Sequence, residues 1–163
     1  MRSLKRSKRL SGLVSGKCLS VCARTKQPCG RLALLIEHYF DQIRTDIEQS
    51  LVIQTFTITY EKRSSYRGYI RGDLLFIDDS VLHIREFVDA RDTIDRLTYA
   101  YHYMNAAQKL VFRYDNTEHH QKLNLSTYPH HKHDGSEDAV VASPGPDLVA
   151  VLREIETLIE LPD

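Results

Sequence analysis

The sequence predicts an α+β domain, a single antiparallel sheet of about five strands with an N-terminal and a C-terminal helix packed on one face. Three observations predict it. Apolar residues recur at three- and four-residue steps at the two ends of the chain, and they alternate with polar ones in the runs between. The links between those runs are also too short for the dozen or more residues that a parallel crossover needs.

The elements follow in order. Leu32, Leu35, Ile36, Tyr39, Phe40, Ile43 and Ile47 fall on one helix face. From Val52 the period becomes two, with Val52, Phe56, Ile58 and Tyr60 on one side and Thr55, Thr57, Thr59 and Glu61 on the other. Further strands are expected at about 67–77, 81–88, 97–104 and 109–114, with turns at Asp78-Asp79-Ser80 and Asn105-Ala106-Ala107. A polar stretch from Asp115 to Gly145 reads as a long loop. Pro146 offers a first-turn position for the second helix, whose stripe is Leu148, Val151, Leu152, Ile155, Leu158 and Ile159.

If the tyrosines Tyr99, Tyr101 and Tyr103 pack under the helices, His102 and Arg113 share the opposite, open face. Glu86 stands out because it falls in the apolar set Leu82, Ile84 and Val88, where a carboxylate needs either a bulge or a partner.

The chain has 163 residues, 27% of them charged, and its formal net charge of zero conceals an asymmetry. Residues 1–31 hold nine Lys/Arg and no acid, so the remainder carries a net of −9. The first 31 residues lack either period and are read as a basic, unfolded extension, with the folded domain at 32–163. A signal peptide is a poor match because Gly12, Gly16 and Lys17 interrupt the apolar run. Cys18, Cys22 and Cys29, the three cysteines, all lie in the extension, so the domain is disulfide-free and a cytoplasmic location is expected. No run approaches the roughly 20 apolar residues of a bilayer-spanning helix, and no membrane association is expected.

Five of eight histidines, His119, His120, His130, His131 and His133, lie between positions 119 and 133. Imidazole serves as acid, base and metal ligand near neutrality, so two chemistries compete. In one, a neutral and a protonated histidine move the protons of RNA cleavage, with His131 and His133 as acid and base and His102 as the alternative. Arg113 and Lys132 then hold phosphate, and Asp115 or Glu86 orients an imidazole. This chemistry needs no cofactor. In the other, a divalent metal is held by His131 and His133 with Asp115, His119 or His120. A plain polar surface loop is the third reading. A Gly-rich phosphate loop, a GxSxG elbow and an HExxH pair are all missing from the sequence.

With these residues in view, the chain from about residue 32 to 163 resembles the TumE family of toxins from bacterial toxin–antitoxin modules. The resemblance is carried by Tyr39-Phe40-Asp41-Gln42-Ile43, Leu82-His83-Ile84-Arg85-Glu86-Phe87, Tyr101-His102-Tyr103 and Phe112-Arg113-Tyr114-Asp115-Asn116. The His119-His120 pair and Pro129-His130-His131-Lys132-His133 followed by Gly135 complete it. It implies a growth-inhibiting protein silenced by a cognate antitoxin. The resemblance gives no chemistry. The residues fill that gap, because small bacterial toxins with an antiparallel sheet and a His/Arg/Lys face look like metal-independent ribonucleases. By that analogy a ribonuclease acting on RNA is expected, with a homo-oligomer also compatible. The rival reading is a non-catalytic inhibitor that occupies its target, with the histidines structural or metal-bound. Members begin close to the first helix, so residues 1–31 are expected to arise from an upstream start.

Overall fold

The computed structural model describes residues 35–118 and 123–159. The basic extension and the His119-His120 pair lie outside the described residues.

Helix α1 (Ile36–Glu48) is followed by seven strands, β1 (Ile53–Lys62), β2 (Arg67–Phe76), β3 (Val81–Asp89), β4 (Asp95–Met104), β5 (Leu110–Asp115), β6 (His131–Asp134) and β7 (Val140–Ala142), and then by α2 (Leu148–Leu158). The strands form one sheet in the order β1-β2-β3-β4-β5-β6-β7, each antiparallel to the next. The expected class is correct, but the sheet has seven strands where about five were read. The two additional strands come from the stretch taken as a loop. His131-Lys132-His133-Asp134 alternates with period two, yet its alternating residues are polar on both sides, so no hydrophobic signal marks it as a strand.

Both helices cover one face. The buried stripe of α1, Ile36, Tyr39, Phe40, Ile43 and Ile47, meets Ile70, Leu74, Leu82, Ile84 and Val88 of the sheet. On α2, Leu148, Val151, Leu152 and Ile155 are buried beside the same core, while Leu158 is half-exposed. Tyr99, Tyr101 and Tyr103 pack on this face as the alternation requires. Pro146 lies just outside α2 rather than in its first turn: Asp147 is the cap, its side chain accepting from the Ala150 N–H at 2.9 Å.

The turns follow their side-chain chemistry. Asn105 Oδ1 accepts from the N–H groups of Ala107 and Lys109, both at 3.0 Å, which closes the β4–β5 hairpin. Gly135 follows β6 with φ of 71°, a conformation that a side chain would strain.

Glu86 sits on the helix face and is 1% exposed. No bulge turns it outward. The Tyr39 hydroxyl donates to its Oε2 at 2.6 Å and the Tyr101 hydroxyl donates to its Oε1. Arg96 donates to the Tyr101 hydroxyl and to the carbonyls of Gly145 and Pro146, tying the approach to α2 onto the sheet. Burial raises the Glu86 carboxyl above its ordinary range, and the two phenols offset part of that cost. Among the described residues, no helix is long and apolar enough to cross a membrane.

Gly68 is required where α1 crosses β2: a methyl group there would lie 2.3 Å from the tip of the Phe40 ring and 2.7 Å from Ile36. Gly68→Ala is expected to destabilise the domain by about 1–3 kcal/mol through overpacking, read as a lower urea midpoint. An unchanged midpoint would mean that α1 does not pack this closely.

Candidate functional site

The open face is built by register. Each antiparallel pair places directly opposed side chains about 5 Å apart on the same side of the sheet. One row runs across β1 to β6 as Thr57, Asp73, His83, His102, Arg113 and His133. The adjacent row is Thr59, Arg71, Arg85, Ala100, Asp115 and His131. Between them lies a trough of about 960 Å³ lined by residues of both rows, including Arg71, Arg85, His83, His102 and Arg113.

At the β5–β6 end the side chains are wired together. Arg113 donates from Nε to Asp115 Oδ2 at 2.9 Å, from Nη1 to Glu137 at 2.9 Å and from Nη2 to His133 Nε2 at 2.8 Å. His133 Nδ1 donates to the Glu137 carbonyl at 2.7 Å, and His131 Nδ1 donates to the Pro129 carbonyl at 2.9 Å. With Nδ1 committed to a carbonyl, each ring turns Nε2 toward Asp115: His131 Nε2 is 3.1 Å from Oδ1 and His133 Nε2 is 3.8 Å from Oδ2. Both histidines are 1% exposed.

The electrostatics are consistent with this wiring. Burial would raise the Asp115 carboxyl, but hydrogen bonds from the Thr117 hydroxyl and N–H, with the charges of His131 and Arg113, hold it below the ordinary range. Burial lowers His133, and the Arg113 charge lowers it further, which favours the neutral ring that accepts from Arg113. His102 is lowered by burial first and then by Arg113 and His83. It lies half-buried in the trough, its ring centroid 6.0 Å from that of His83.

The structure therefore brings together four of the residues expected from sequence, His131, His133, Arg113 and Asp115, with His102 directly across from Arg113. It does not bring Lys132 or Glu86 there. Lys132 points to the helix face, where it donates to Glu154 of α2 at 2.9 Å and lies 5.2 Å from the Phe112 ring centroid. Asp73 and His83, which sequence reasoning passed over, join the row, and His83 Nδ1 is hydrogen-bonded to the Asp73 carboxylate. The only available signal was that His83 and Arg85 alternate with Leu82 and Ile84; which residues oppose them depends on strand register.

Asp115, His131 and His133 also form, among the described residues, a group whose ligating atoms lie within 4.8 Å of one another, close enough to hold a cation. The Arg113 guanidinium already provides the positive charge beside Asp115 and His133, so a divalent ion would compete with it.

Compared with known families, residues 40–160 match the model described as Toxin TumE. No curated protein and no solved structure matches.

Removing the carboxylate from this buried network takes one partner from Arg113, which keeps Glu137, and from two imidazoles. Asp115→Ala is expected to cost about 1–3 kcal/mol in chemical denaturation. Stability equal to that of the wild type would show that the network does not hold β6 to β5.

Proposed function

The chain belongs to the TumE toxin family, and from that premise we propose that it arrests growth by cleaving RNA in the trough on the open face, held silent by a cognate antitoxin. The observation that carries this reading is the row His83, His102, Arg113 and His133, directly opposed across four strands and flanked by Arg71 and Arg85.

In this reading the neutral His102 takes the proton of a ribose 2′-hydroxyl. Its oxygen attacks the adjacent phosphorus, the bond from phosphorus to the 5′-oxygen breaks, and a 2′,3′-cyclic phosphate forms. His83 supplies the proton to the leaving 5′-oxygen through Nε2, because Asp73 engages Nδ1. Arg71 and Arg85, which form no ion pair among the described residues, take the phosphate charge with Arg113.

His131 and His133, expected from sequence as acid and base, act here as positioning residues: they hold Asp115 and Arg113 and do not meet the substrate. No step requires a metal. The burial of His131 and His133 equally favours a second reading, in which the toxin occupies its target without chemistry and the histidines are structural.

One experiment separates the two readings. His102→Ala is expected to stay folded and to lower RNA cleavage by about 10²- to 10⁴-fold, with growth arrest and RNA fragmentation lost together. Arrest with intact RNA would sink the ribonuclease reading, and arrest eroded only by many separate surface substitutions would favour occupation of a target.

The pH profile is a further check. A general base works deprotonated, and burial and Arg113 hold His102 below its ordinary value of 6.5. The acidic limb of the cleavage rate is therefore expected below pH 6.5, with activity retained as the pH falls from 8 to 6.5. A midpoint above 6.5 would remove His102 from the role.

A further inference from the structure

A third row of the open face continues beyond the arginines: Glu61 on β1, Tyr69 on β2, Phe87 on β3 and Thr98 on β4. Tyr69 and Phe87 are directly opposed, both half-buried, with ring centroids 6.3 Å apart and planes inclined by 38°. Neither ring is part of the core under the helices, because each has the parity of Arg71 and Arg85. Tyr69 lines both the trough and a neighbouring hollow of about 660 Å³ that Phe87, Arg63, Arg67 and Arg91 also line.

The charge around the two rings fits an anionic chain. Two of the nearby acids are paired, Glu61 with Arg63 at 3.1 Å and Asp89 with Arg67 at 2.6 Å. Arg71 and Arg85 stand in the next row with no ion pair among the described residues, between the rings and the histidines. Along β3, Phe87, Arg85 and His83 succeed one another on one face at steps of about 6.6 Å. Aromatic faces followed by unneutralised guanidinium groups form the arrangement that binds single-stranded nucleic acid, in which bases stack and phosphates are tracked by charge.

We infer that Tyr69 and Phe87 form a stacking platform for an unpaired base of a single-stranded RNA, with Arg71 and Arg85 holding the phosphate that links this base to the nucleotide at His83 and His102. The inference rests on the ribonuclease reading for its direction, since it places the platform one row from the proposed chemistry. It also implies a substrate class: RNA in loops or unpaired segments, because a base within a duplex cannot reach the sheet face.

The test uses the full chain and a fluorescein-labelled 2′-O-methyl oligonucleotide, which cannot be cleaved through its 2′-oxygen, offered single-stranded and as a duplex with its complement. Wild type is expected to bind the single strand at least tenfold more tightly than the duplex. Tyr69→Ala and Phe87→Ala are each expected to weaken single-strand binding by about 5- to 100-fold, as loss of one stacked base does. Tyr69→Leu and Phe87→Leu retain apolar bulk and so guard against unfolding; they are expected to bind as poorly as the alanine variants, while Tyr69→Phe restores affinity. Wild type that binds the single strand in this pattern yet leaves unmodified RNA intact would support the platform while failing the cleavage reading, so the two failures are distinguishable. Leucine variants that bind like wild type, equal affinity for duplex, or loss of antitoxin binding with oligonucleotide affinity unchanged would each overturn the platform.

Discussion

The pairing of β6 with β5 is the constraint on which the open face depends. Four polar residues form this strand, and no hydrophobic stripe on them pays for its docking. It is held by the sheet ladder and by charge-assisted contacts: Arg113 opposite His133 and Asp115 opposite His131, with the guanidinium shared between Asp115, Glu137 and His133. In a low-dielectric setting such a network is strong when every member is satisfied and costly when one is removed. The carbonyls of Pro129 and Glu137 fix the remaining ring nitrogens, so the loops on either side of β6 become part of the same network. Arg113 is thereby fixed at the end of the trough, its guanidinium held by three partners.

The two faces of the sheet solve opposite problems. On the helix face, buried polar groups are few and locally satisfied: Glu86 is met by two phenols, and Lys132 by Glu154 over aromatic rings. These contacts seat α1 and α2 and do not reach the trough. On the open face, polar and aromatic side chains occupy successive rows, and the strand direction sorts them into histidines, arginines and aromatic rings. A net of −9 over residues 32–163 would disfavour non-specific contact with a polyanion. Arg71 and Arg85 gather beside one trough with no ion pair among the described residues, and local charge bears more than the net on what a concave site attracts.

The sequence by itself determined the two helices, five of the seven strands, and the face on which most side chains lie. Period alone settles these, because a 3.6-residue or two-residue repeat of apolar groups has one way to be buried. His102 and Arg113 on one open face, the tyrosines under the helices, and the turns at Asp78 and Asn105 all follow from it. The resemblance to the TumE family was likewise legible from short motifs, and the family match over residues 40–160 agrees with it.

Tertiary structure alone decided the rest. It made a strand of His131–Asp134, because a polar segment docks through backbone pairing and side-chain wiring that leave no apolar repeat to read, and of Val140–Ala142, whose three residues are too short a run to show a period. It buried His131 and His133, the expected acid and base, and left His83 and His102 facing the trough. It also set the register that brings Asp73, His83, His102 and Arg113 into one row. Register depends on how strands distant in sequence align, and a slip of one residue would turn every one of these side chains to the other face.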